Sequence, residues 1–334
     1  MSFKQTAILG AGGWGTALAI LWAKQGKEIV LWGNDAERTD ALRRTRLNET
    51  YLPDMPVPES VHVTNDLVDC GGADLIVFVT PSVALRQIAT RLREATSVPR
   101  RPVLLSCTKG IEHRTGMRMS QILHEVFPEQ QVAVMSGPNM AVEVARDLPT
   151  ATVLGCSAAE CAEELQQHLG SPHFRIYTSD ETIGIELGGA LKNVFAIPAG
   201  VSDGFGLGDN SKAALVTRAL AELLRLGTAM GGNPRTFYGL SGAGDLIATC
   251  FSQHSRNRRV GEQLGRGKTR EQIASGTKSI AEGIPTTQSA FDCARSLGVE
   301  TPIIDQVHAV LYGGKRPDQA MQELLGRDQK DERV

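Results

Sequence analysis

ILGAGGWGTALAILWAKQG, residues 8–26, runs from an apolar strand through a glycine-rich turn into an apolar helix. Gly10, Gly12 and Gly15 stand in the order G-x-G-x-x-G. In that setting Gly10 makes the tight turn, Gly12 lets the backbone approach a pyrophosphate, and Gly15 lets the helix pack closely on the strand. The unpaired N–H groups of the first helical turn then face the phosphates, and the helix dipole favours their charge. Three glycines at this spacing are a weak signal alone, because a ligand-free strand-to-helix turn has the same pattern. The strand before, the helix after and the βαβ-length unit around them all agree on dinucleotide binding.

Outward from this turn, short apolar runs alternate with helix-length segments: EIVLW (28–32), DLIVFV (74–79), PVLLSC (102–107), QVAVMSG (131–137) and TATVLG (150–155). Near-continuous Val, Ile and Leu runs with this spacing predict a parallel sheet covered on both faces, an α/β, doubly wound Rossmann-type domain. From about residue 181 the pattern becomes helical, with ALVTRALAELLRLGTAMGG (214–232), PTTQSAFDCARSLG and PIIDQVHAVLYGG. Gly298 fits the end of one helix and Pro302 the first turn of the next. We expect a dinucleotide-binding domain over 1–180 and a mostly α-helical substrate domain over 181–334.

The chain has 334 residues, 41% hydrophobic and 22% charged, with a formal net charge of −2, enough for two domains with sizeable cores. The balanced charge argues against a nucleic-acid or membrane-surface binder and favours a small-molecule substrate. No apolar run approaches the roughly 20 residues that cross a bilayer, and no signal-peptide layout precedes the first strand, so a cytoplasmic protein is expected. Six scattered cysteines, without a CxxC pair, suit a reducing compartment. No histidine spacing suggests a metal site, and no G-x-S-x-G suggests a serine hydrolase.

The second strand is followed by Asn34 and Asp35, where an NAD site usually has an acidic residue for the ribose. Asp35 could meet the ribose or cap the next helix. Asn34 neither repels a 2′-phosphate nor clamps it, so NAD and NADP both stay open. TPS (80–82) and TKGIE (108–112) follow strands on the ligand-binding side of such a sheet, which puts Lys109 near the nicotinamide edge or in a solvated turn. In SGPNMAVEVA (136–145), Asn139 is a cap or a ligand donor. Ser255, Arg256 and Asn257 at a helix start offer hydroxyl, guanidinium, amide and backbone donors suited to phosphate, or form a solvated basic helix end.

GIELGGALKNVFAIPAG (184–200) places Lys192 among small and apolar residues. Its neighbours one helical turn away are Gly188, Gly189, Phe195 and Ala196, so no carboxylate lies within local reach. Either the lysine snorkels out of an apolar helix, or it points into a cleft with the two glycines leaving room for a ligand.

Taken together, GAGGWGTALA, LWGND, TKGIE, SGPNMAVEVA, LGGALKNVFAIPAGVSDG, GLSGAGDLIATC, SRNRR, AEG and LLGRDQKDE resemble bacterial NAD(P)-dependent sn-glycerol-3-phosphate dehydrogenases, nearly end to end and in the same order. The resemblance implies interconversion of dihydroxyacetone phosphate and sn-glycerol 3-phosphate by a cytosolic homodimer that supplies the phospholipid backbone. It implies Lys192 as proton acceptor, with Asn193 beside it, and Lys109 and Asp245 lining the substrate. Ser255, Arg256 and Asn257 would hold the phosphate, and Gly137 and Asn139 would touch substrate, with Ala141 near the cofactor. On the cofactor side it points to Gly13, Trp14, Asn34, Lys109, Arg256, Ile280 and Glu282.

Asn34 stands where many relatives carry arginine or histidine, Gly13 where serine or asparagine is common, and Asn139-Met140 where Thr-Phe is frequent. A lysine desolvated by apolar neighbours suits proton transfer at the C2 oxygen, since burial lowers its pKa. Lys109 could stabilise negative charge there, and Arg256 could grip the phosphate with both arms of its guanidinium. Two other readings remain: a related two-domain hydroxy-acid or hydroxyacyl dehydrogenase, and a non-catalytic dinucleotide-sensing protein.

Overall fold

The computed structural model describes residues 3–96, 102–276, 281–328 and 331–332. The chain begins with β1 (Gln5–Leu9), α1 (Gly13–Lys24), β2 (Glu28–Trp32) and α2 (Ala36–Thr45). A short hairpin of β3 (Leu47–Asn48) and β4 (Leu52–Pro56) precedes the edge strand β5 (His62–Thr64). Next come β6 (Leu75–Phe78), α3 (Leu85–Ala95), β7 (Val103–Ser106), α4 (Met119–Val126) and β8 (Val132–Ser136). The unit closes with α5 (Ala141–Ala145), β9 (Thr150–Cys156), α6 (Ala159–Leu169) and β10 (Phe174–Ser179).

Eight of these strands form one sheet in the order β10-β9-β8-β7-β6-β1-β2-β5. Each apolar run becomes a strand because its side chains are buried on both faces: Ile8, Leu31, Val77 and Leu105 pack on one side, and Ala7, Leu9, Val30 and Phe78 on the other. The expectation of an all-parallel sheet needs one correction. β9 pairs antiparallel to β8, while β10 runs parallel to β9. A parallel return needs a long crossover, usually through a full helix, but this connection contains only the five-residue α5, which packs against α1. Two edge strands escape the apolar pattern. β5 has three residues, and β10 alternates buried Phe174 and Ile176 with more exposed neighbours.

The second half is helical: α7 (Thr182–Phe205), α8 (Gly208–Ala229), α9 (Asp245–Phe251), α10 (Arg256–Gly265), α11 (Arg270–Ser275), α12 (Gly283–Leu297), α13 (Pro302–Tyr312) and α14 (Pro317–Leu325). Pro302 opens α13, and Gly298 closes α12 in the left-handed conformation, as expected. Leu187, Leu191, Val194 and Phe195 of α7 are fully buried, so this helix is the axis about which the others pack. Burial of each such side chain contributes about 1.5–3 kcal/mol. α10 meets α7 through glycine: a Cβ at Gly261 would stand 1.8 Å from the Ile197 carbonyl oxygen, and one at Gly200 would stand 1.9 Å from that of Arg258. This close approach sets the start of α10 beside Asn193. No helix among the described residues is long and apolar enough to cross a membrane.

Candidate active site

β1, β6, β7 and β8 are parallel, so the turns after them gather at one edge of the sheet. At the first turn, Gly10 has φ +127° and a Cβ there would meet the Val79 carbonyl oxygen at 2.6 Å; at Gly15 it would meet the Gly10 oxygen at 1.9 Å. Both positions accept only glycine. Gly12 instead faces open space, and among the described residues no side chain caps α1. The helix start therefore presents free N–H groups toward an open cradle, which fits a pyrophosphate. Gly13 lies against Tyr51 and Ala141, and Trp14 packs partly into the core near Phe174.

Lys192 does not snorkel. It is 7% exposed, and its ammonium lies 2.9 Å from Asp245 Oδ1 and donates to the Thr249 hydroxyl at 2.6 Å. Asp245, itself 1% exposed, accepts from Lys109 Nζ at 2.5 Å through its other oxygen and from the Thr249 hydroxyl at 3.2 Å. Lys109 also donates to the Gly137 carbonyl at 3.0 Å. Two lysines from different halves of the chain thus share one buried carboxylate. Each nitrogen makes two contacts with protein among the described residues, leaving a third position open.

Burial pulls the Lys192 pKa down to about 8; Asp245 opposes the shift and Lys109 reinforces it. The local absence of a carboxylate is overturned by α9, which brings Asp245 from outside the helix. Another expectation also fails. Gly188 and Gly189 do not leave room for a ligand, because the Ser241 backbone and the Ser136 hydroxyl fill the space a Cβ would need, at 2.7 and 2.3 Å. Their smallness serves close packing of α7 on β8 and on the π-turn Leu240–Gly244 that leads into α9.

At the start of α10 the donor cluster divides. Ser255 caps the helix by accepting from the Arg258 N–H at 3.2 Å. Asn257 donates to Asn193 Oδ1 at 2.8 Å and accepts from the Gly283 N–H at 2.9 Å. Arg256 has no hydrogen bond or ion pair among the described residues, and solvent reaches it within a protein-lined recess. Desolvation by burial lowers its pKa, with Glu282 opposing, but a guanidinium stays cationic. Glu282 accepts from Ser82 Oγ at 2.5 Å and from Ser82 N at 3.1 Å, tying the loop after β6 to the start of α12. Ile280 lies outside the described residues.

Asn139 is not a helix cap; Met140 holds that position before α5. The Asn139 carbonyl accepts from the Thr152 hydroxyl at 3.2 Å, while its buried amide nitrogen has no partner among the described residues. Asp35 does cap α2, accepting from the Arg38 N–H at 3.0 Å and pairing with the Arg38 guanidinium at 3.2 Å. Asn34 accepts from Arg91 Nη1 at 2.8 Å. The sequence marked Ser82 only as part of the TPS loop and singled out neither Thr249 nor Arg91. Thr249 carried a usable signal, since it lies one helical turn after Asp245. Arg91 carried none, because its partner Asn34 is distant in sequence.

Residues 5–162 match the family model for the N-terminus of NAD-dependent glycerol-3-phosphate dehydrogenase, and residues 181–322 match that for its C-terminus. The chain belongs to this family. It is 44% identical to the glycerol-3-phosphate dehydrogenase [NAD(P)+] of Geobacter sp. (strain M21), over 99% of both chains. It is 46% identical to a second such enzyme, from Salinibacter ruber, over 97% of this chain and 95% of the relative. Its fold matches the crystal structure of Coxiella burnetii glycerol-3-phosphate dehydrogenase with a TM-score of 0.94 at 37% identity, covering 97% and 99% of the two chains. Family membership makes the protein an NAD(P)-dependent glycerol-3-phosphate oxidoreductase, and the hydroxy-acid and non-catalytic readings fall away.

Proposed function

We propose that Lys192 is the proton-transferring residue in the interconversion of sn-glycerol 3-phosphate and dihydroxyacetone phosphate. The observation that carries this is a buried lysine held by Asp245 and Thr249, with one position on its nitrogen without a partner among the described residues; burial pulls its pKa down to about 8. Oxidation removes hydride from C2 and a proton from its hydroxyl, forming the ketone. The nicotinamide cofactor, when bound, exchanges the hydride. In its neutral form Lys192 spends its two N–H groups on Asp245 and Thr249, so its lone pair is available to the C2 hydroxyl proton. In reduction the ammonium returns that proton.

Lys109, held by Asp245 and the Gly137 carbonyl, stabilises negative charge on the same oxygen. Asp245 positions both lysines. Arg256, which has no protein partner among the described residues, grips the phosphate, and the free amide of Asn139 supplies a further contact. Asn193 and Asn257 act by fixing α10 against α7. Gly10, Gly12, Gly13, Trp14 and Gly15 cradle the cofactor, with Asn34 toward its ribose and Ala141 and Glu282 at its edges. Gly137 contributes through its carbonyl to the setting of Lys109.

The pH dependence of kcat/KM for glycerol 3-phosphate oxidation tests the role of Lys192. A limb rising to a plateau with a midpoint near the pKa of about 8 is expected. A profile flat between pH 6 and 10 would remove Lys192 from the chemistry.

The same reading includes a domain boundary between residues 180 and 181. It is supported by the change from sheet-centred cores to the helical core around α7. Family resemblance supports a cytoplasmic homodimer that supplies glycerol phosphate for phospholipid synthesis; light scattering of the purified protein tests the dimer.

A further inference from the structure

We infer that Arg91 is a specificity-determining residue for the cofactor, a cation delivered from α3 that recognises the 2′-phosphate of NADP(H). This deepens the cofactor reading and rests on the dinucleotide lying at the glycine turn. In a Rossmann-type domain the residues just after the second strand face the adenine ribose. Here those residues are Asn34 and Asp35. A carboxylate facing the ribose would favour a 2′-hydroxyl and repel a 2′-phosphate, but Asp35 is occupied: it caps α2 and pairs with Arg38. That leaves the neutral Asn34 as the side chain with freedom to face the ribose.

Asn34 does not stand alone. Arg91 lies 57 residues away in sequence, yet its Nη1 donates to Asn34 Oδ1 at 2.8 Å, and its guanidinium sits 5.8 Å from the centre of the Trp32 ring. Trp32 is the last residue of β2, so the arginine is held over the strand end by one hydrogen bond and one aromatic face. Both Asn34 and Arg91 are exposed. Arg91 forms no ion pair among the described residues, whereas the charge of nearby Arg38 is offset by Asp35. Among the described residues no carboxylate lies within ion-pair distance of this guanidinium. A guanidinium has five N–H donors, and only one is spent on Asn34, so the remainder form a fork suited to phosphate. A long side chain held by a stacking surface and an amide has already lost much of its rotamer freedom, which lowers the ordering cost of binding.

Isothermal titration calorimetry with NADPH and with NADH, on the wild type and on Arg91→Ala, Arg91→Lys and Asn34→Asp, tests the inference without using turnover. The wild type is expected to bind NADPH at least as tightly as NADH. Arg91→Ala should weaken NADPH roughly tenfold or more while NADH changes less than about twofold, as for loss of a charge-assisted hydrogen bond. Arg91→Lys, which keeps the charge and loses the fork, should fall between, and Asn34→Asp should weaken NADPH selectively.

Raising salt from about 50 to about 200 mM should cost the wild type more NADPH than NADH affinity, and that difference should vanish in Arg91→Ala. Equal effects of Arg91→Ala on both nucleotides, or a wild type that binds NADH at least tenfold more tightly than NADPH, would overturn the role of Arg91 and leave the cofactor site standing. Failure of the wild type to bind either nucleotide would overturn both.

Discussion

Lys192→Met removes the amine while keeping much of its length and all of its apolar contacts, so it separates chemistry from packing. Asp245 keeps its bonds to Lys109 and Thr249, and its charge remains compensated. Turnover should fall by roughly 10² to 10⁴, the usual contribution of a positioned general acid or base. Stability should move the other way. The wild-type fold lowers the Lys192 pKa from 10.5 to about 8, so the folded state pays for holding the ammonium. That penalty, roughly 3 kcal/mol, is fully present below the folded pKa and disappears as pH rises through the unfolded value.

Urea unfolding at intervals from pH 7 to pH 10.5 measures it directly, because titrations of other groups cancel in the difference between mutant and wild type. The mutant should be the more stable at pH 7, with the gap closing toward pH 10.5. Near-normal turnover would refute the chemical role. A gap that does not change with pH would refute the desolvation argument.

Arg256→Ala should raise KM for dihydroxyacetone phosphate by roughly 10²-fold, the loss expected of a bidentate charge-assisted contact, with dihydroxyacetone itself reduced equally slowly by both forms. An unchanged KM would exclude Arg256 from the phosphate site. Gly261→Ala should lose about 1–3 kcal/mol in urea unfolding, since its Cβ has no room against Ile197, and activity should drop as Asn257 moves from Asn193; a change under about 0.5 kcal/mol would mean that α7 and α10 adjust freely.

Glu222, a buried carboxyl of α8, accepts from the Ile303 and Ile304 N–H groups at the start of α13 at 2.9 and 2.8 Å, and desolvation pushes its pKa up to about 7. The stability it contributes is present at low pH and lost as pH rises from the unfolded value of 4.5 through about 7. Glu222→Gln should therefore flatten the decline in stability between about pH 5 and pH 8; an identical slope in mutant and wild type would count against it.

What sequence alone determined was local. The glycine turn, the apolar strands and the helix ends at Gly298 and Pro302 are legible because backbone sterics and hydrophobic periodicity act over a few consecutive residues. The reversed direction of β9 was not, since strand direction depends on how the preceding connection packs. The site was partly legible: the motifs marked Lys192, Lys109, Asp245 and Arg256 one by one, and family resemblance gathered them. Only tertiary structure decided that Lys109 and Lys192 share Asp245 across 136 and 53 positions, that Ser255 and Asn257 spend their side chains on helix packing, and that Arg91 reaches Asn34. No periodicity encodes such pairings. They arise because burial removes water from each polar group and leaves it to find its partner wherever the packed helices bring one.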